Sequence, residues 1–189
     1  MKAMSENRLE KVLEAIDRVN RTDPKKYEFP YSEWVTEWVK KLEPNPSEEL
    51  LIAARGQHIA RWEIPRDSFP DDRKSYLAWR EKLKGMHAEK VGALMREAGY
   101  LPESIATVER IILKKNLRDP ESQIVEDALC LVFLEHQFTD LLHKEPEATM
   151  VEILRKTWRK MGEKGRAAAL KLSLTPEQLA LVQKALSPA

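Results

Sequence analysis

Cysteine is almost missing from the chain. The single one, Cys130, excludes a disulfide framework and a cysteine-built zinc cage. It stands inside an apolar run and reads as a small core residue. An excess of one charge is missing too. A net charge of +1 gives no global field to hold nucleic acid or an anionic membrane non-specifically, so an anion site must be a local patch. No apolar run approaches the length of a membrane span, and the amphipathic, charged opening segment has no signal-peptide core. These absences point to a cytoplasmic protein without a membrane partner. Repeats, low-complexity tracts, long linkers and nucleotide-cofactor motifs are also absent, so the 189 residues read as one domain, 1–189.

What is present is helical. All eleven prolines fall where helices should begin or end, and there is no strand pattern. The expectation is an all-α, compact single-domain bundle of about eight or nine helices around one buried helix. That central helix is Gln123 to Leu142. Ala128 to Leu134 are apolar without interruption, and Ile124, Asp127, Leu131, Leu134, Phe138 and Leu141 keep helical spacing. Around it the sequence predicts helices from Ser5 to Arg21, Ser32 to Leu42, Ser47 to Trp62, and Asp71 to Ala98, the last ended by Gly99. Further helices are predicted over Pro102 to Lys115, Glu147 to Met161 and Arg166 to Leu172. Thr175-Pro176-Glu177-Gln178 is a capping box that opens a terminal helix. Ile64 to Pro70, with two prolines, is expected to be extended.

Three polar residues fall on apolar faces of different predicted helices: His58, His87 and Asp127. A buried carboxylate needs a cation, a metal or several donors. Two imidazoles and a carboxylate converging in a bundle would hold a divalent metal, manganese, iron or zinc, with open positions for water. Glu126 is the fallback ligand and the nearest acceptor for a histidine ring proton, so Glu126 and Asp127 are the expected catalytic carboxylates. The bland alternative pairs Asp127 with an arginine from a neighbouring helix. A second constellation is Arg55, Arg61, Arg66 and Arg80 with Trp62, a set suited to a phosphate or carboxylate beside an aromatic ring. Glu89 faces away from His87, towards the small residues Gly85 and Gly92, where a close helix contact is expected. A third cluster, Arg155, Lys156, Arg159, Lys160, Lys164 and Arg166 around Trp158, reads as a solvated face, with a weak nucleic-acid edge as the sharper option.

The run AARGQHIARWEIPRDSFPDDRKSYLAWR, then His87-Ala88, then QIVEDALCLVFLE, resembles a domain-of-unknown-function family whose members are often labelled glutamyl-tRNA synthetase. The resemblance implies a compact single-domain protein. The synthetase label does not follow, because such an enzyme needs an α/β nucleotide-binding domain and an HIGH-type motif. Lys160-Met161-Gly162-Glu163-Lys164 only faintly resembles the second synthetase motif. The ordered set His58, His87, Asp127 also resembles HD-domain phosphohydrolases, which are helical and metal-dependent, although Ala88 stands where their His-Asp doublet has its carboxylate. Two functions are therefore expected. One is metal-assisted hydrolysis of a small phosphorylated or nucleotide-like substrate. The other is a non-enzymatic module whose arginine-lined pocket takes a nucleotide or RNA phosphates.

Overall fold

Capping chemistry sets the helix boundaries of the computed structural model, which describes residues 2–116 and 119–187, with side chains from residue 8 onward. In order the helices are α1 (Lys2–Asn20), α2 (Glu28–Leu42), α3 (Glu48–Arg55), α4 (Arg73–Glu97), α5 (Pro102–Ile112), α6 (Pro120–Val132), α7 (Phe138–Leu142), α8 (Glu147–Lys160), α9 (Glu163–Ala169) and α10 (Pro176–Leu186). No strand occurs among the described residues, and the chain is all-α. None of the described helices is long and apolar enough to cross a membrane. The predicted Ser5 cap concerns a side chain outside the described residues.

Several starts follow the sequence signals. Ser47 accepts from Leu50 N, Asp72 from Ser75 N, and Thr175 forms the full capping box with Gln178. Other boundaries differ. Helix α6 starts three residues before the expected Gln123, because Asp119 accepts from Ser122 N. Helix α2 begins before Pro30, because Asp23 accepts from the backbone N–H of Lys25, Tyr27 and Glu28 and organises the turn that enters it. Ser32 is therefore inside the helix, donating to Phe29 O. Helix α3 ends at Arg55 and not near Trp62, and the proline-rich stretch after it holds two short 3-10 turns, Arg61–Glu63 and Arg66–Ser68. Helix α9 starts three residues before the predicted Arg166.

The central helix is α6, continued into α7 through a π turn at Phe133–Gln137. It packs on α2, α3, α5, α8 and α9, burying Val125, Ala128, Leu131, Val132 and Phe138. Burial of such side chains, about 1.5–3 kcal/mol each, drives the assembly. Helix α4 lies on α5 through Gly92, where an added Cβ would come within 2.5 Å of Glu109 Oε1. Its neighbour Gly85 has nothing within 4 Å, so only half of the expected small-residue contact exists.

Candidate functional site

Two connections shape a cleft beside the central helix. The first follows α3. Gly56 lies so close to α4 that an added Cβ would meet Val91 Cγ2 at 2.5 Å, and the chain turns away there, with Ala60 in the left-handed region at φ 54°. His58 is thus carried on a turn, not on a helix as the spacing suggested. A buried alanine at positive φ is strained, by about 1–2 kcal/mol, and such strain gathers at functional sites. The second connection follows α5. Lys114 N bonds to Ile111 O and Lys115 N to Arg110 O, a Schellman turn with Lys114 at φ 55°. Helix α4 ends in the same turn with Gly99 at φ 79°. Glycine makes that turn without strain. At Lys114 the strain accompanies an ammonium that contacts Glu126 in the cleft.

The cleft has a volume of about 400 Å³. Five cations line it, Arg61, Arg80, Lys84, Lys114 and Lys160, with Tyr31, Tyr76, Trp79, His58 and His87. Glu126 is the one carboxylate among its described lining residues. It contacts Lys114, and Lys160 lies 3.6 Å from its other oxygen. Burial works to raise the Glu126 pKa, and the two ammonium groups outweigh it and hold the carboxyl below its ordinary value. Arg80 lies against the Tyr76 ring and has no carboxylate partner among the described residues. Arg61 sits over Trp79, at 4.8 Å.

A second chamber of about 750 Å³ adjoins the first and is more apolar, with Tyr27, Trp62, Ile64, Pro65 and Leu141 in its wall. The chambers share His58, Arg61, Trp79, Phe133 and Gln137. Phe133 and Gln137 bound the π turn, a distortion that is frequent at functional sites and that the sequence does not signal.

Glu28 and His58 meet at the common wall. His58 Nδ1 is 3.3 Å from Glu28 Oε2, and Arg61 Nε is 3.9 Å from Oε1. The imidazole stacks on Tyr31, with ring centres 4.2 Å apart and planes 3° from parallel. Burial raises the Glu28 pKa to about 7. Burial, then Arg61, Lys114 and Arg80, depress that of His58 well below its ordinary value. His87, buried on α4, bonds through Nδ1 to Ile59 O at 2.8 Å, and its pKa is lowered to about 3, first by burial and then by His58.

The Glu28 shift has a testable consequence for stability. Its folded pKa lies above its unfolded value, so its favourable contribution is complete at acid pH and is lost as pH rises through about 7. Wild type should therefore lose on the order of 3 kcal/mol more than Glu28→Gln across that window. Denaturant unfolding of both proteins on the acid and alkaline sides of it checks this; parallel curves would refute it.

The sequence-selected residues divide between roles. Arg61 and Arg80 line the cationic chamber, while Trp62 and Arg66 line the second. Arg66 donates to Phe69 O and Pro70 O and so also ties its own loop. Arg55 is not in either chamber. It forms a bidentate bond to Asp17 at 2.7 and 2.8 Å that joins α3 to α1. His58 and His87 do come together, with ring centres 6.0 Å apart. Asp127 does not join them, nor does it meet an arginine among the described residues. It accepts from Gly162 N, Gly165 N and Gln123 Nε2 at 2.7, 3.1 and 2.8 Å, and so holds the start of α9. Among the described residues no three His, Cys, Asp or Glu groups gather as a metal site requires. The His58, His87, Asp127 set therefore does not fit a divalent metal.

Of the basic cluster on α8 and α9, only Lys160 reaches the cleft. Arg155 pairs with Glu152, Lys164 with Glu43, and Arg166 donates to Trp158 O. Sequence reasoning missed Glu28, Tyr31, Lys84 and Lys114 as cleft residues; none carries a local motif.

Neither a curated protein nor a solved structure matches the chain. A family model described as "Domain of unknown function (DUF4202)" matches residues 10–182. With most of the chain inside that match, the protein belongs to this domain-of-unknown-function family.

Proposed function

We propose that the protein binds a small phosphorylated, nucleotide-like molecule across the two chambers. The phosphate would lie among Arg61, Arg80, Lys84 and Lys114, and the flat apolar group in the aromatic chamber beside Trp62 and Trp79. The observation that carries this reading is the charge of the first chamber, whose described lining holds five cations and one carboxylate. Outside that lining, Glu81 lies near Lys84 and Glu28 near Arg61. Guanidinium and ammonium groups held in a concave, partly desolvated cleft favour a compact anion. The left-handed backbone at Lys114, and Arg80 without a carboxylate partner, support it further. Of the two expected functions this favours the arginine-lined pocket. Metal-assisted hydrolysis through Asp127 finds no support, because that carboxylate already accepts three N–H bonds.

Calorimetric titration with ADP, pyrophosphate and adenosine tests the proposal. ADP should bind more tightly than either half and should change the fluorescence of Trp79, which sits in the shared wall. Arg80→Ala should weaken ADP about tenfold to a hundredfold, the loss of a charge-assisted hydrogen bond. Absence of binding by any nucleotide or phosphate at millimolar concentration would refute it.

A further inference from the structure

We propose that His58, oriented by Glu28, is the general base of a phosphoryl-group hydrolysis at the wall shared by the two chambers. This rests on the phosphorylated ligand proposed above and adds a reaction to it.

The geometry begins with two buried atoms. His58 Nδ1 and Glu28 Oε2 are both buried, form no hydrogen bond among the described residues, and lie 3.3 Å apart. Two bare lone pairs at that separation would repel, so a proton lies between them. With that proton on Nδ1 and Glu28 ionised, the state reached as pH rises through about 7, Nε2 is the bare nitrogen left for chemistry. Tyr31 fixes the plane of the ring by stacking on it. Arg61 Nε lies 3.9 Å from the other oxygen of Glu28, close enough for charge attraction without a hydrogen bond. A histidine oriented by a buried carboxylate, with its second nitrogen turned to the ligand, is an arrangement for proton transfer.

His87 supplies a second point. Its Nδ1 faces a carbonyl oxygen, Ile59 O, which can only accept, so Nδ1 carries the proton and Nε2 is a bare acceptor. That Nε2 is buried in a wall of the same cleft and has no partner among the described residues. The two imidazole centres are 6.0 Å apart, a separation that one water can bridge with a hydrogen to each ring. Its lone pair is then free for phosphorus.

The step balances with water as the co-reactant. The water oxygen bonds to phosphorus, the bond from phosphorus to the leaving oxygen breaks, and the water proton passes to His58 Nε2. Glu28 stabilises the protonated ring. The leaving oxygen departs on the far side of phosphorus, in line with the water, and takes a proton from solvent. His58 returns its own proton to solvent, and the products are inorganic phosphate and an alcohol from an ester, or a shorter phosphate from an anhydride. Arg61, Arg80 and Lys84 stabilise the charge on the phosphoryl oxygens.

The test uses the full chain with p-nitrophenyl phosphate, AMP, ADP and ATP, following binding by calorimetry and cleavage by phosphorus NMR, with and without EDTA. Compounds that bind should release phosphate equally in EDTA. His58→Ala should lower kcat about a hundredfold to ten-thousandfold, far more than it weakens ligand binding, and added imidazole should restore part of the rate. Glu28→Gln, a change to a positioning residue, should lower kcat about tenfold to a hundredfold at constant KM. Tight binding without cleavage overturns this proposal and leaves the binding reading intact. Cleavage that His58→Ala retains, or that requires added metal, also overturns it. Failure of all four compounds to bind refutes the binding reading itself.

Discussion

Asp127→Ala should destabilise the protein by about 3–5 kcal/mol while ligand binding in the cleft persists. The carboxylate is 2% exposed and accepts two backbone N–H groups at the start of α9 and the amide of Gln123. Its negative charge also faces the positive end of that helix. Alanine would leave Gly162 N and the buried Gly165 N without this acceptor. The approach is so close that a Cβ on Gly165 would come within 2.5 Å of Asp127 Cγ and 2.8 Å of its Cβ. Gly165→Ala alone should therefore cost about 1–3 kcal/mol by overpacking. In the Asp127→Ala background that cost should shrink, because the carboxyl group is gone although the Cβ stays. A double-mutant cycle read by urea unfolding should give a coupling energy of about 1 kcal/mol or more. Strict additivity would refute the direct contact. Loss of ligand binding in a folded Asp127→Ala protein would return the residue to the site.

The same residue marks how far the sequence could be read. The apolar run from Ala128 to Leu134 requires a buried helix, and α6 is one. Prolines and caps locate most of the other helices, since both act within a few residues. The spacing that placed Asp127 on the inner face was also correct, and so was its need for donors. What the sequence does not encode locally is the partner. Gly162 and Gly165 lie 35 and 38 residues away, and backbone N–H groups leave no trace in residue identity. Arg55 fails in the same way: its guanidinium is aimed at Asp17 across α1, not at a ligand. His58 was selected for a helical register that does not exist, because α3 ends at Arg55. Its proximity to His87 follows instead from a turn through a left-handed alanine. Alanine favours helix, so Ala60 itself argues for continuing the helix that the turn ends. The π turn at Phe133–Gln137 is equally silent, since its residues are ordinary helix formers. Lys114 was legible only as a helix end.

Glu126→Gln should move ligand affinity and stability in opposite directions. Glu126 was expected to work as a ligand or proton acceptor, and its place is between Lys114 and Lys160 at the cleft wall. It offsets two of the five cations that face the anion. At an effective dielectric constant of about 20, a carboxylate roughly 6–8 Å from a bound phosphate repels it by about 2–3 kcal/mol per charge. Part of that repulsion is recovered when glutamine removes the charge and frees both ammonium groups, so ADP affinity should rise about tenfold. Salt should then weaken binding more steeply, because more cations act on the ligand. Stability should fall by about 1–3 kcal/mol, since Lys114 and Lys160 would face each other across a buried amide without a counter-charge. The strained backbone at Lys114 would also lose the ion pair that accompanies it. Calorimetry with ADP at two salt concentrations and urea unfolding measure both quantities on one protein. Weaker ADP binding in Glu126→Gln would show that the carboxylate accepts a hydrogen bond from the ligand, and it would overturn the role of Glu126 as the internal counter-charge of the cleft.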